Sequence, residues 1–166
     1  CPLLRNPKKL PNRSIAQPVM KNSAVPILLA DDDADDRYLL KSAFEDCRFA
    51  NPLHFVEDGV ELMDYLLRQG TYQDSGHLAP GIILLDLNMP RKDGREALRE
   101  IKAHPQLKSI PIIILTTTKS EEEVVKTYVA GANCFITKPA NFEELIGVVG
   151  SLGKFWLETA IIPAKA

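Results

Sequence analysis

Four short apolar runs, each closed by a chemically active side chain, constrain this chain more than anything else in it. Ile27-Leu28-Leu29-Ala30 leads into Asp31 and Asp32, Ile82-Ile83-Leu84-Leu85 into Asp86, Ile112-Ile113-Ile114-Leu115 into Thr116, and Phe135-Ile136-Thr137 into Lys138. From Val25 onward such runs alternate with amphipathic stretches of ten or more residues, the pattern of repeated βα units and hence of a parallel sheet. In an open parallel sheet, ligands bind outside the carboxyl ends of the strands. The five terminal side chains would therefore converge on one site.

The pattern predicts strands near 26–30, 53–57, 81–86, 111–116 and 133–137. Helix 1 is expected over 34–47, with Leu39, Leu40, Ala43, Phe44 and Cys47 on its inner stripe. Helix 2 is expected over 58–69, carrying Val60, Leu62, Met63, Leu66 and Leu67 and ended by Gly70. Helix 3 begins after Asp93-Gly94, buries Ala97, Leu98 and Ile101, and stops at His104-Pro105. Helix 4 follows Ser120, has Glu121, Glu122 and Glu123 in its first turn where acids complement the helix dipole, and closes at Gly131. Helix 5 is capped by Asn141 and continues through Leu145, Val148, Val149, Leu152, Phe155 and Trp156. It is longer and more apolar than a covering helix requires, and Ile161-Ile162-Pro163 follows it. This tail either folds back on its own domain or forms a partner surface, and an apolar patch of this size favours the partner.

At 166 residues and 45% hydrophobic content the chain fits one domain with a real core. No apolar run reaches the roughly 20 residues that cross a bilayer, and no signal peptide is present, so the expected location is cytoplasmic, with no membrane partner. Cys1, Cys47 and Cys134 lack the spacing of a disulfide framework or zinc site, and Cys47 and Cys134 read as small buried hydrophobes. His54, His77 and His104 are scattered singly and receive no role. Residues 1–24 contain Arg5, Lys8, Lys9, Arg13 and Lys21 without an acid, together with Pro2, Pro7, Pro11 and Pro18, and read as a basic, mobile leader. Met20, just before the ordered pattern, is an alternative natural start. The remainder holds 15 basic against 22 acidic residues, which leaves no basic face for nucleic acid.

Asp31, Asp32 and Asp86 in one crevice would repel by several kcal/mol, on the order expected for unit charges about 4 Å apart outside bulk water, so a cation must sit among them. All-oxygen ligands suit Mg²⁺. Helix capping accounts for one of Asp31, Asp32 and Asp33, but not for a fourth aspartate on another strand. Asp86 precedes Leu87-Asn88-Met89-Pro90, which cannot continue the sheet, so its carboxylate points into a loop and is the natural nucleophile for an acyl phosphate. Lys138 and the Thr116 hydroxyl are the donors that phosphoryl oxygens require.

This set resembles the receiver domain of two-component response regulators across residues 25–158. The acidic pair, the LLDLNMPRKDG stretch, Thr116-Thr117 and Lys138-Pro139 carry the resemblance in order and at the expected spacing. It implies a doubly wound, flavodoxin-like five-stranded parallel sheet of order 2-1-3-4-5, with strands 1 and 3 flanking the topological switch point. It also implies that Asp86 is the phosphoacceptor, that Asp31, Asp32 and Asp86 hold Mg²⁺ with the Asn88 backbone carbonyl, and that Lys138 pairs with the phosphoryl group. Thr116 would swing toward that group while Phe135 turns inward. A cis Lys138–Pro139 peptide is a further expectation from the resemblance.

Within the family, NMPRKDGREALREIK, ILTTTKSEEEV, GANCFITKPANFEEL, the closing FWL and the polar insertion Arg68 to Pro80 are similar to single-domain regulators paired with cyanobacterial phytochrome kinases. The likeness implies a phytochrome-like sensor histidine kinase as phosphodonor and an unspecified downstream protein. The chain would be a phosphoacceptor module rather than an enzyme, taking phosphate from donors and losing it by its own chemistry. A homodimer is expected through the helix 4, strand 5 and helix 5 face, extended by Phe155, Trp156, Leu157, Ile161 and Ile162. Two other readings remain: a haloacid-dehalogenase-like phosphatase, whose spaced acids Asp31, Asp33 and Asp35 imitate, and a pseudo-receiver that only docks.

Overall fold

The computed structural model describes residues 24–163, so the leader expected over 1–24 falls, Ala24 apart, outside the described residues. Five strands, β1 (Ile27–Ala30), β2 (Leu53–Val56), β3 (Ile82–Leu85), β4 (Ile112–Thr116) and β5 (Cys134–Thr137), form one sheet of order β2-β1-β3-β4-β5. All pairings are parallel. The helices are α1 (Ala34–Asp46), α2 (Gly59–Leu67), α3 (Gly94–Ala103), α4 (Glu121–Val129) and α5 (Phe142–Gly153). The expected order and every expected element are present, with boundaries shifted by up to three residues, the largest at the end of α5.

Alternation along the strands divides the core into two layers. Leu28, Ala30, Ile83, Leu85, Ile112 and Ile114 face α2 and α3, where Leu62, Met63, Ala97, Leu98 and Ile101 meet them. Ile27, Leu29, Ile82, Leu84, Ile113 and Leu115 face α1 and α5, against Leu40, Ala43, Phe44, Leu145, Val149 and Leu152. Strands buried on both faces read as continuous apolar runs, as β1, β3 and β4 do. Leu39, expected on the inner stripe of α1, is 38% exposed instead. Cys47 and Cys134 are half-buried, and burial pushes both thiols above their ordinary value.

Each of the five helices begins at the carboxyl side of the sheet behind a polar cap. Asp33, Asp58, Asp93, Ser120 and Asn141 each accept a hydrogen bond from the first turn of the helix that follows. Asp33 therefore answers the capping question for α1 and leaves Asp31 and Asp32 for other work. Gly70 does not end α2; Arg68 does, in the left-handed conformation, and Gly70 opens a short 3₁₀ turn. The insertion after α2 packs as an aromatic cluster, His77 lying against Tyr65 and Tyr72. Beyond Gly153 the α5 hydrogen-bond pattern widens into a π-helical stretch, Lys154–Thr159, which turns Leu157 into the core. Trp156 and Ile162 also pack on the α1–α5 layer, while Phe155 and Ile161 stay exposed. The expected five-residue apolar surface is thus divided between fold-back and exposure.

The loop after β3 is held by two glycines. A Cβ on Gly94 would fall on the Asp86 carbonyl oxygen, and one on Gly59 would fall on the Lys92 carbonyl oxygen. Gly94 N–H donates to Leu87 O and Gly59 N–H to Lys92 O, both at 2.9 Å, so these close approaches are hydrogen-bonded seams. Gly147, in the interior of α5, has open space where its Cβ would stand. Gly94→Ala should destabilise the protein by about 2–3 kcal/mol through overpacking. Gly147→Ala should raise stability by roughly 0.5–1 kcal/mol through helix propensity. Urea unfolding of both variants checks the contrast, and equal effects would contradict the packing described.

Candidate functional site

The register between β1 and β3 pairs Ala30 with Leu85 and so places the next residues, Asp31 and Asp86, side by side. Asp31 N–H donates to Val56 O and Asp86 N–H to Ala30 O, which holds both just past the sheet. Asp31 is 3% exposed and Asp86 7%, whereas Asp32 is open to solvent. One oxygen from each of these three carboxylates can be chosen so that all lie within 4.8 Å of one another. Convergent carboxylates with an open side suit a hard divalent cation that keeps some of its water. This donor set fits Mg²⁺, and Asp31, Asp32 and Asp86 are the side chains that would hold it.

Lys138, at the end of β5, supplies positive charge from the protein itself. Its Nζ lies 2.7 Å from Asp31 Oδ2, 2.7 Å from Asp36 Oδ2 and 3.0 Å from Asp86 Oδ2, with its side chain 12% exposed. Burial works against the ammonium, but the hydrogen bonds it donates to Asp31 and Asp36 outweigh it and hold the group well above the ordinary lysine value. Burial also pushes the Asp31 carboxyl up, more than its bonds to Lys138 and to the Asp33 N–H pull it down. Asp36 is the functional neighbour that sequence reasoning missed. It occupies the first turn of α1, where side chains tilt back toward the helix N-terminus and thus toward the site.

Thr116 is fully buried, and its Oγ1 is the one buried side-chain polar atom without a hydrogen-bond partner among the described residues. An orphaned hydroxyl at a strand end is costly unless something polar comes to meet it. Phe135 pairs with Ile114 across β4 and β5 and packs on the same layer, two residues back from Thr116. Its backbone N–H donates to the Tyr128 hydroxyl of α4 at 3.1 Å. Asn88 N–H donates to Asp86 Oδ1 at 3.2 Å, which fixes the start of the loop whose carbonyl was expected at the metal.

The surrounding shell is also charged. Arg37 donates to the Asp31 carbonyl at 2.8 Å and pairs with Glu57. Arg91, in the left-handed conformation, binds Asp58 from the loop after β3. Burial would raise the Asp58 carboxyl, but bonds from the Glu61 N–H and Arg91 win and hold it below the ordinary range. The Lys138–Pro139 peptide is trans, contrary to expectation. The Lys138 N–H donates to Thr116 O at 2.7 Å, and from that anchored backbone the long side chain reaches all three carboxylates without a cis bond. The spaced acids of a phosphatase do not assemble: Asp33 is spent on its cap and Asp35 is exposed.

Among known families, the response regulator receiver domain matches residues 27–150. The response regulator Rcp1 of Synechocystis sp. is 41% identical over 138 residues, covering 83% of this chain and 92% of that protein. A crystal structure of Mn²⁺-bound Rcp1 superimposes with a TM-score of 0.78 at 40% identity, covering 84% of this chain and 99% of that one. The phosphorylated cyanobacterial phytochrome response regulator RcpA gives a TM-score of 0.79 at 40% identity, covering 85% and 99%.

Lys138 is the only cation hydrogen-bonded to the two buried carboxylates among the described residues, so Lys138→Ala should destabilise the protein by about 2–3 kcal/mol at neutral pH. A carboxyl raised above its ordinary value loses stability when charged, and that loss fades as pH falls through the raised value. The Lys138→Ala deficit should therefore shrink between pH 7 and roughly pH 4.5, and millimolar Mg²⁺ should reduce it at pH 7. Urea titrations at both pH values test this; a deficit independent of both pH and Mg²⁺ would refute the charge account.

Proposed function

The chain belongs to the response regulator receiver domain family, and from that premise we propose that it is a phosphoacceptor switch charged at Asp86 in a phytochrome-type two-component system. The observation that carries this reading is the meeting of three carboxylates and one ammonium at the strand ends, with an unpartnered hydroxyl beside them. An Asp86 oxygen attacks the donor phosphorus, the bond from phosphorus to the leaving group breaks, and the leaving group departs with the electron pair. Lys138 neutralises charge on the phosphoryl oxygens, and the Thr116 hydroxyl turns to donate to one of them. Mg²⁺ held by Asp31, Asp32, Asp86 and the Asn88 carbonyl would add positive charge at the same oxygens.

The donor in this reading is the phosphohistidine of a phytochrome-like sensor kinase, supported by the similarity to RcpA and Rcp1. Thr116 lies on the same sheet layer as Phe135, so its movement vacates space into which Phe135 turns, and the α4–β5–α5 surface changes with it. That surface is the output. Val125, Tyr128 and Val129 are exposed on α4, and a groove of about 670 Å³ beside β5 is lined by Ile136, Val148, Leu152, Phe155 and Trp156. We assign this face to a homodimer, with a downstream protein as the further partner and no role for nucleic acid or membrane. No described helix is long and apolar enough to cross a bilayer.

Incubation with acetyl phosphate and Mg²⁺ should label Asp86 and release acetate, and Asp86→Asn should lose the label while keeping its fold by circular dichroism. Label that persists in Asp86→Asn, or that maps to Asp31, overturns the assignment. For the dimer, a stable interface buries more than about 1,000 Å² in total. Phe155→Glu combined with Val129→Glu should give a monomer in light scattering without loss of thermal stability, because both side chains are exposed in the isolated chain. A wild type that stays monomeric at high concentration, phosphorylated or not, would remove the dimer.

A further inference from the structure

Lys138 is saturated as it stands: its ammonium has three N–H donors, and three carboxylates receive them. Two of those acceptors are needed elsewhere. Asp31 Oδ1 accepts from the Asp33 N–H at 2.9 Å and Asp86 Oδ1 from the Asn88 N–H at 3.2 Å, so their backbone-free oxygens are the Oδ2 atoms. Those are the atoms Lys138 holds. A divalent cation entering among Asp31, Asp32 and Asp86 therefore draws on two of the three carboxylates that hold Lys138, and its charge repels the ammonium. Asp36 is the third carboxylate. It is absent from the convergent set, and its one hydrogen-bonded side-chain contact described is the 2.7 Å bond to Lys138.

We infer that Asp36 is a positioning residue for Lys138, the carboxylate that keeps the ammonium beside Asp86 while a metal ion takes the oxygens of Asp31 and Asp86. The inference rests on the metal site proposed above, but not on phosphorylation. Without Asp36, metal binding strands a largely buried ammonium and is opposed by it; with Asp36, Lys138 gives up two partners and keeps the third, still within reach of a phosphoryl group on Asp86. The placement follows from the first turn of α1. The Asp33 cap fixes the Asp36 N–H, and the side chain, 35% exposed, leans back over the end of β1.

Two ordinary explanations of an Asp36 effect are long-range charge and helix-end stabilisation. Asp35 separates them, since it lies in the same first turn with the same charge, is exposed, and is not among the three carboxylates that pair with Lys138. Mn²⁺ titration followed by electron paramagnetic resonance should show Asp36→Asn binding about tenfold more weakly than wild type, and Asp35→Asn within about twofold. Asp36→Glu, which restores the charge on a longer arm, should recover most of the loss. In a Lys138→Met background, adding Asp36→Asn should change the affinity by less than about twofold, because the ammonium it serves is gone. Circular dichroism confirms that each variant folds.

The proposal is overturned if Asp36→Asn matches Asp35→Asn, if Asp36→Glu rescues nothing, or if the Asp36→Asn loss persists undiminished without Lys138. It is also overturned if the wild type binds no Mn²⁺. A wild type that binds Mn²⁺ but takes no label at Asp86 would refute the phosphoacceptor reading and leave the role of Asp36 standing. Where label is taken, Asp36→Asn should slow labelling by acetyl phosphate at saturating Mg²⁺ about tenfold, with Asp35→Asn near wild type.

Discussion

One ammonium among buried carboxylates is the interaction on which the architecture of this protein turns. The β1–β3 register sets Asp31 against Asp86 in a place largely closed to water, and on its own that juxtaposition is repulsive. Lys138 reverses its sign. Because Lys138 closes β5 and Asp36 belongs to α1, the same contacts tie together the ends of β1, β3 and β5 and the start of α1. The site is therefore part of what aligns the carboxyl edge of the sheet.

Rigidity is unevenly distributed around that edge. The loop after β3 is pinned by backbone seams at Gly59 and Gly94 and by the Asp58–Arg91 pair, so the neighbourhood of Asp86 and Asn88 is held from both α2 and α3. Helix α4 is held differently. Thr127 is its only buried residue, and its ties are polar: Glu123 to Arg95 of α3, and the Tyr128 hydroxyl to the backbone of Phe135. An element with little apolar burial and solvent-accessible polar anchors moves at low cost. Its Tyr128 hydroxyl meets the backbone of Phe135, on the strand that pairs with the one ending at Thr116.

Much of this was legible in the chain. Asp31, Asp86, Thr116 and Lys138 were found because each directly follows an apolar run, and in a parallel sheet position after a strand is position in space. Asp33 could be named as one of three possible caps but not chosen, since the choice depends on which carboxylate the β1–β3 register buries. Gly70 points to a helix stop because glycine favours left-handed backbone, yet Arg68 takes that conformation two residues earlier. Asp36 carried no signal of its own, for an acid in a first helical turn is ordinary; its importance comes from a lysine 102 positions away.

The sequence by itself determined the alternation of strand and helix, the parallel direction of the strands and the residues at the strand ends, because these follow from local periodicity and from hydrophobic runs too continuous to face water, while the strand order came with the family resemblance. Tertiary structure alone decided what those residues do to one another. Which carboxylate oxygens remain free, that the Lys138–Pro139 bond stays trans, that Thr116 lacks a partner, and that the closing tail buries Leu157 while exposing Phe155 are all matters of distances between segments remote in the chain. No local pattern encodes them, because the energies that settle them, charge pairing and desolvation, depend on the separation of groups in space.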